Sequence, residues 1–177
     1  EEIADSKSLT ADWPDYPYCE AMGYYGDVGY FWPMPFSADA QKISMRFDAG
    51  GVGEFPLGSV NILMYGTRMA GTPAMLVEVF ANGANDLPGA LLGSVEVGHD
   101  TLPHNTGASW LTVPLGDLGL RFPPGSHFHI SFSCIGGTGD TLAVISDDGY
   151  GPSSGENRAS VFNGSTWQSL NSRYGLD

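Results

Sequence analysis

The chain becomes regular at Lys42, where Ile43, Met45 and Phe47 alternate with Lys42, Ser44, Arg46 and Asp48. A period of two sets the apolar residues on one face and the polar ones on the other, the mark of a half-buried strand. The same reading gives a strand from about Ser59 to Tyr65. Another covers Ala74–Phe80, with Met75, Val77 and Val79 on its buried face. Ala90–Val97 and Trp110–Leu115 follow, with Leu118–Phe122 as a short addition. His127–Cys134 alternates cleanly: Phe128, Ile130, Phe132 and Cys134 face one way, and His127, His129, Ser131 and Ser133 the other. Thr141–Ser146 is mostly apolar, as a strand covered on both faces would be. From Asp86 to Cys134 no helical period occurs.

Turn signals separate these runs. Asn82-Gly83, Asn85-Asp86 and Pro88-Gly89 mark turns, as do Pro123-Pro124-Gly125 and the glycines from Gly136 to Gly139. His99–Ser109 is polar and reads as an exposed loop. Asn163-Gly164 divides Arg158–Phe162 from Thr166–Leu170 and is the strongest short-range hairpin signal in the chain. Asn163-Gly164-Ser165 is also a glycosylation sequon, read here as the turn. Many short strands with closely spaced turns predict an all-β antiparallel β-sandwich. One such domain accommodates most of the 177 residues.

Residues 1–12 are polar and acidic and read as an arm. Residues 13–36 crowd Trp13, Tyr16, Tyr18, Tyr24, Tyr25, Tyr30, Phe31, Trp32 and Phe36 together, broken by four prolines. Proline excludes a long helix there, and so many rings demand a packing surface. The expected division is an N-terminal arm and aromatic segment over 1–37, packed on a sandwich over 38–177.

Taken in order, P-G-A-L-L, then W-L-T-V-P-L, then P-P-G-S-H-F-H-I-S-F, an Asp-rich loop and R-A-S-V-F-N-G-S-T-W make a familiar series. It resembles the jelly-roll-like β-sandwich accessory modules of secreted and cell-surface bacterial proteins. The resemblance covers about residues 40–170 and rests on turns and core positions, not on a catalytic motif. It implies a jelly-roll-like sandwich, an extracellular or cell-surface setting and a non-catalytic role.

Composition narrows the partners. Seven basic against 20 acidic residues leave a net charge of −13, a field that repels nucleic acid and anionic membrane surfaces. It favours divalent cations or simple solubility. No run is long and apolar enough to predict membrane insertion. The chain opens on Glu1-Glu2-Ile3, without a signal-peptide pattern, and reads as a processed form or a fragment. Gly is about twice its average usage, in keeping with a turn-rich fold. Cys19 and Cys134 match no metal spacing. A disulfide between them is expected, with two reduced core residues as the alternative.

Three constellations bear on chemistry. The loop Asp147-Asp148-Gly149, with Glu156 and Asn157 close behind, offers oxygen ligands suited to Ca²⁺, although its spacing is not that of an EF-hand; a solvated turn is the other reading. Asn82, Asn85 and Asp86 form a weaker second set. His127 and His129 stand two apart on one strand face, a spacing zinc sites use. Without a third ligand at hand, that face is expected to be plain and solvated. For catalysis the chain has no G-x-S-x-G elbow, and Glu78 and Glu96 read as surface charges rather than an opposed acid pair. The chain is expected not to be an enzyme. Tyr25, Tyr30 and Trp32 are the expected ligand-binding residues, since such rings stack on sugars or anchor interfaces; capping of the core is the competing role.

Two functions follow. One is an extracellular binding or adhesion module, glycan-binding and Ca²⁺-stabilised. The other is a self-assembling structural subunit of a filament or surface layer that clasps a neighbour with its N-terminal segment.

Overall fold

The computed structural model describes residues 28–34, 41–50, 52–147 and 158–170. Twelve strands run through them: β1 (Val28–Met34), β2 (Lys42–Asp48), β3 (Phe55–Pro56), β4 (Ser59–Tyr65), β5 (Ala74–Asn82) and β6 (Pro88–Val97). The remaining six are β7 (Ala108–Pro114), β8 (Arg121–Phe122), β9 (His127–Ile135), β10 (Leu142–Asp147), β11 (Ala159–Phe162) and β12 (Trp167–Ser169). Every pairing is antiparallel.

The topology is that of one long ribbon rolled up on itself. At its tip β5 turns into β6; behind the tip β4 pairs with β7, β2 with β9 and β1 with β10. Rolling that ribbon gives one sheet of order β1-β10-β4-β7 and another containing β2-β9-β5-β6. This is a jelly roll, as expected. The β11–β12 hairpin extends the second sheet to six strands beyond β2. β1 is drawn from the aromatic stretch ahead of residue 38, so the first sheet takes its edge strand from that segment.

The tip shows how local sequence sets the roll. Leu87 N–H donates to Ala84 C=O at 3.3 Å, with Asn85 at φ 58° and Asp86 at φ 57° between them. Two consecutive left-handed residues make a type I′ turn, whose twist matches that of the flanking strands. Asn and Asp tolerate that conformation better than other side chains. Gly83 and Gly89 face each other beneath it so closely that a Cβ on either would lie about 3 Å from the other's Cα.

The core lies between the sheets. Met64 and Val113 from one sheet meet Met75, Val77, Val79 and Phe128 from the other, all shut off from water. Met75, Val77, Val79 and Phe128 are residues the period of two placed on buried or shared faces. At one end Phe128 stacks with Phe47, Phe55 and Phe122 at centroid distances of 5.6, 6.0 and 4.1 Å. The β3–β8 ribbon carries Phe55 and Phe122 into this cluster. In β10, Leu142, Ala143 and Val144 are buried in succession, as a strand covered on both faces requires. The Asn163 hairpin forms as predicted, its side-chain oxygen accepting the Ser165 and Thr166 N–H groups at 3.0 and 2.9 Å.

Candidate functional site

With the core filled by apolar residues, chemistry is left to the outer faces of the two sheets. On the six-stranded sheet the register lines up polar residues row by row. One row runs Ser169, Ser160, Ser44, Ser131, Glu78, Ser94; the next holds Arg46, His129, Phe80 and Leu91; beyond it Asp48 stands opposite His127.

This face is solvated only in part: the His127 side chain keeps 39% of its exposure, but His129, contrary to expectation, keeps none. Ser44, His129 and Ser131 are 0% exposed and Ser160 is 1%. The sheet curls over these residues. Trp167 on β12 and Phe80 on β5 are four strands apart, about 19 Å on a flat sheet at about 4.8 Å per strand. Their rings nevertheless meet edge-on at 5.7 Å. The diagonal between them crosses the sheet at Ser44 and Ser131, whose small side chains leave room for the rings.

A continuous network occupies the same face. Asn82 Nδ2 donates to Asp86 Oδ1 at 3.0 Å, so Asn82 Oδ1 is left to accept from His129 Nε2 at 2.8 Å. His129 is therefore the Nε2–H tautomer, and its buried Nδ1 has no hydrogen-bond partner among the described residues. Burial first, and then the charge of Arg46, push its pKa down to about 4, so the ring is neutral. Arg46 donates to Asp86 Oδ2 at 2.8 Å and thereby ties the ribbon tip to β2. His127 Nδ1 lies 2.6 Å from Asp48 Oδ1, and Arg158 lies 2.8 Å from Asp48 Oδ2. Burial alone would raise the Asp48 pKa, but hydrogen bonds from Arg158 and His127 outweigh it and hold the carboxyl below its ordinary value. The Asn82 bond, against a smaller opposing effect of burial and helped by Arg46, does the same for Asp86. Lys42 and Glu78 pair further along the face, with Ser131 Oγ 3.3 Å from Glu78.

The network engages the side chains of two metal candidates. Asn82 and Asp86 are committed to His129 and Arg46, and a guanidinium stands where a second cation would have to bind. His127 and His129 each spend a ring nitrogen on a partner. His99 and His104 stack on each other at 4.7 Å in the β6–β7 loop, their Nδ1 atoms against the Pro73 and Leu102 carbonyls. Among the described residues no group of three or more His, Cys, Asp or Glu side chains is placed to hold a metal.

The outer face of the four-stranded sheet differs in kind. Trp110 on β7 is 46% exposed and stands opposite Leu63 on β4. In the next row Thr112 Oγ1 donates to Asn61 Oδ1 at 2.7 Å, leaving the Asn61 amide N–H groups outside that bond. Ala108 and Pro114 complete the exposed parity of β7. Neither 59–65 nor 108–114 contains a charged residue.

The predicted site residues fall as follows. Asp147 ends β10, opposite Val28; Asp148, Glu156 and Asn157 lie outside the described residues. So does Tyr25. Tyr30 and Trp32 belong to β1, in register with Ser146 and Val144, the latter a core residue. Cys134 on β9 is half-buried and carries a free thiol, its Sγ 3.7 Å from the Asp140 carbonyl oxygen. Burial raises its pKa; Cys19 lies outside the described residues. Sequence reasoning passed over Trp110, Asn61 and Thr112. The available signal was parity: Trp110 shares its face with Thr112, while Leu111, Val113 and Leu115 go inward.

No family model, curated protein or solved structure matches the chain. What fold and surface define is a jelly-roll sandwich with one outer face whose serines and His129 are buried and, on the uncharged β4–β7 part of the other, an exposed tryptophan.

Proposed function

We propose that the protein is a non-catalytic extracellular binding module of a secreted or cell-surface bacterial protein, and that it engages a neutral glycan on the outer face of the four-stranded sheet. The carrying observation is Trp110, 46% exposed beside the Asn61–Thr112 pair on two strands, 59–65 and 108–114, that carry no charge. An indole offers a flat apolar surface to the C–H face of a sugar ring. An amide and a hydroxyl in the adjacent row supply hydrogen bonds for its hydroxyl groups. A polyhydroxylated, uncharged ligand suits such a face, since the rest of a chain of net charge −13 repels anions.

The test is calorimetric titration with a panel of soluble neutral polysaccharides. The native protein is expected to bind at least one. Trp110→Ala should weaken that binding about tenfold or more, the equivalent of about 1.4 kcal/mol for a lost stacking contact. No binding by the native protein, or full binding by the variant, rejects the reading. Ca²⁺ stabilisation through Asp147, Asp148, Glu156 and Asn157 belongs to the same proposal. A chelator-treated sample whose melting temperature does not rise with added Ca²⁺ removes that part alone.

A further inference from the structure

We propose that β7 is a self-association edge: two copies pair their β7 strands antiparallel about a two-fold axis and join their four-stranded sheets into one. The inference stands on backbone geometry and charge and does not depend on glycan binding.

The sandwich leaves two well-defined strands at sheet ends on one side, β6 and β7. An open edge presents unpaired N–H and C=O groups that any strand of matching register can use, and edges are commonly blunted by charge, proline or bulges. β6 is blunted. Its register with β5 slips from Val79–Gly93 to Phe80–Leu91 and again to Asn82–Pro88, two irregularities in ten residues. β7 is not. Seven consecutive pairs, from Ser59–Pro114 to Tyr65–Ala108, match it to β4 without a shift. It reads A-S-W-L-T-V-P, with no charge and with proline only at its last position. Among the described residues no strand pairs with its outward side.

A second copy is the partner because the chain's own charge selects it. The 20 acidic residues would oppose one another in most contacts between copies, but the two strands at the β7 end of this sheet, 59–65 and 108–114, carry none. A two-fold axis normal to the sheet also keeps each residue on its own face. Trp110 of both copies therefore stays on the common outer surface while the edges bond. Seven residues at about 3.4 Å each form a short contact, in the weak, concentration-dependent class. Repulsion between two acidic bodies is screened beyond about 8 Å at physiological salt, so association strengthens as salt is added.

The test is sedimentation equilibrium over a wide concentration range at low and high salt. The native protein should approach dimer mass at high concentration and more readily in salt. The double variant A108K/T112K places like charges on two exposed β7 positions and should remain monomeric with an unchanged circular dichroism spectrum. L91K, which charges β6 instead, should dimerise like the native protein. A native protein that stays monomeric throughout, a dimer that survives A108K/T112K, or one abolished by L91K overturns the proposal.

Discussion

On the six-stranded sheet, serines and a histidine that read as surface residues are closed off from water. On the four-stranded sheet, an indole that could have been buried stands nearly half exposed. Alternation alone treats the two faces alike, because it says only which residues share a side. What separates them is how far each sheet extends. The β11–β12 hairpin adds two strands to one sheet and curls it until Trp167 reaches Phe80; the other sheet ends at β7. Exposed polar residues on a covered face become an interior and need partners. A large ring at the open β4–β7 end of a sheet keeps its hydration cost and is available to a ligand.

The sharpest way to break this contrast is to enlarge a serine under the curl. Ser44→Leu adds a net two heavy atoms at a position with no exposure, where overpacking costs about 1–3 kcal/mol. The change also removes a buried hydroxyl without a hydrogen-bond partner among the described residues, which offsets part of that cost. The expected result is a melting temperature lowered by about 2–8 °C, at about 2–4 °C per kcal/mol for a chain of this size, with Thr112→Leu on the opposite face as a near-neutral control. Equal melting temperatures for the two variants would mean that the serine row is not closed in solution.

Acid comes next. His129 titrates near 4 in the folded chain against an ordinary 6.5. Between those values the unfolded chain takes up a proton that the folded one refuses, so stability falls as pH drops from about 6.5 to about 4 and is flat with respect to this group below that. The loss is at most about 3 kcal/mol. His129→Gln retains an N–H donor for Asn82 without a titrating group, and should remove the dependence in that window. Asp48 and Asp86, both held below 3.8, contribute stability that is lost only at still lower pH. A native melting temperature that is constant from pH 7 to 4 would contradict the buried, neutral His129.

The sandwich itself was legible because core rows such as Met75, Val77 and Val79 follow strict alternation, and because Asn85-Asp86 and Asn163-Gly164 suit only tight turns. The closed face was not. Its burial depends on a contact between Phe80 and Trp167, 87 residues apart in the chain by subtraction of their positions, and no local pattern encodes a curl. The eighth strand of the roll was hidden for a related reason: β1 sits among prolines and aromatics, and its pairing with β10 spans more than a hundred residues. The density of rings ahead of the sandwich is the more conspicuous pattern, and a single ring on the outward parity of β7 is hidden beside it.

That ring gives the smallest expected change in stability. Trp110 has Leu63 as its cross-strand neighbour and no aromatic ring packed against it among the described residues, so Trp110→Ala should move stability by no more than about 0.5 kcal/mol. An indole retained for the fold behaves otherwise, since deleting a buried aromatic costs about 3–5 kcal/mol. Chemical denaturation of native protein and variant, with the slopes compared as well as the midpoints, separates the two cases. A midpoint shift of core size would make Trp110 part of the packing and remove the physical basis for a ligand on that face. Coincident curves, together with lost polysaccharide binding, would leave function as the reason the ring is exposed.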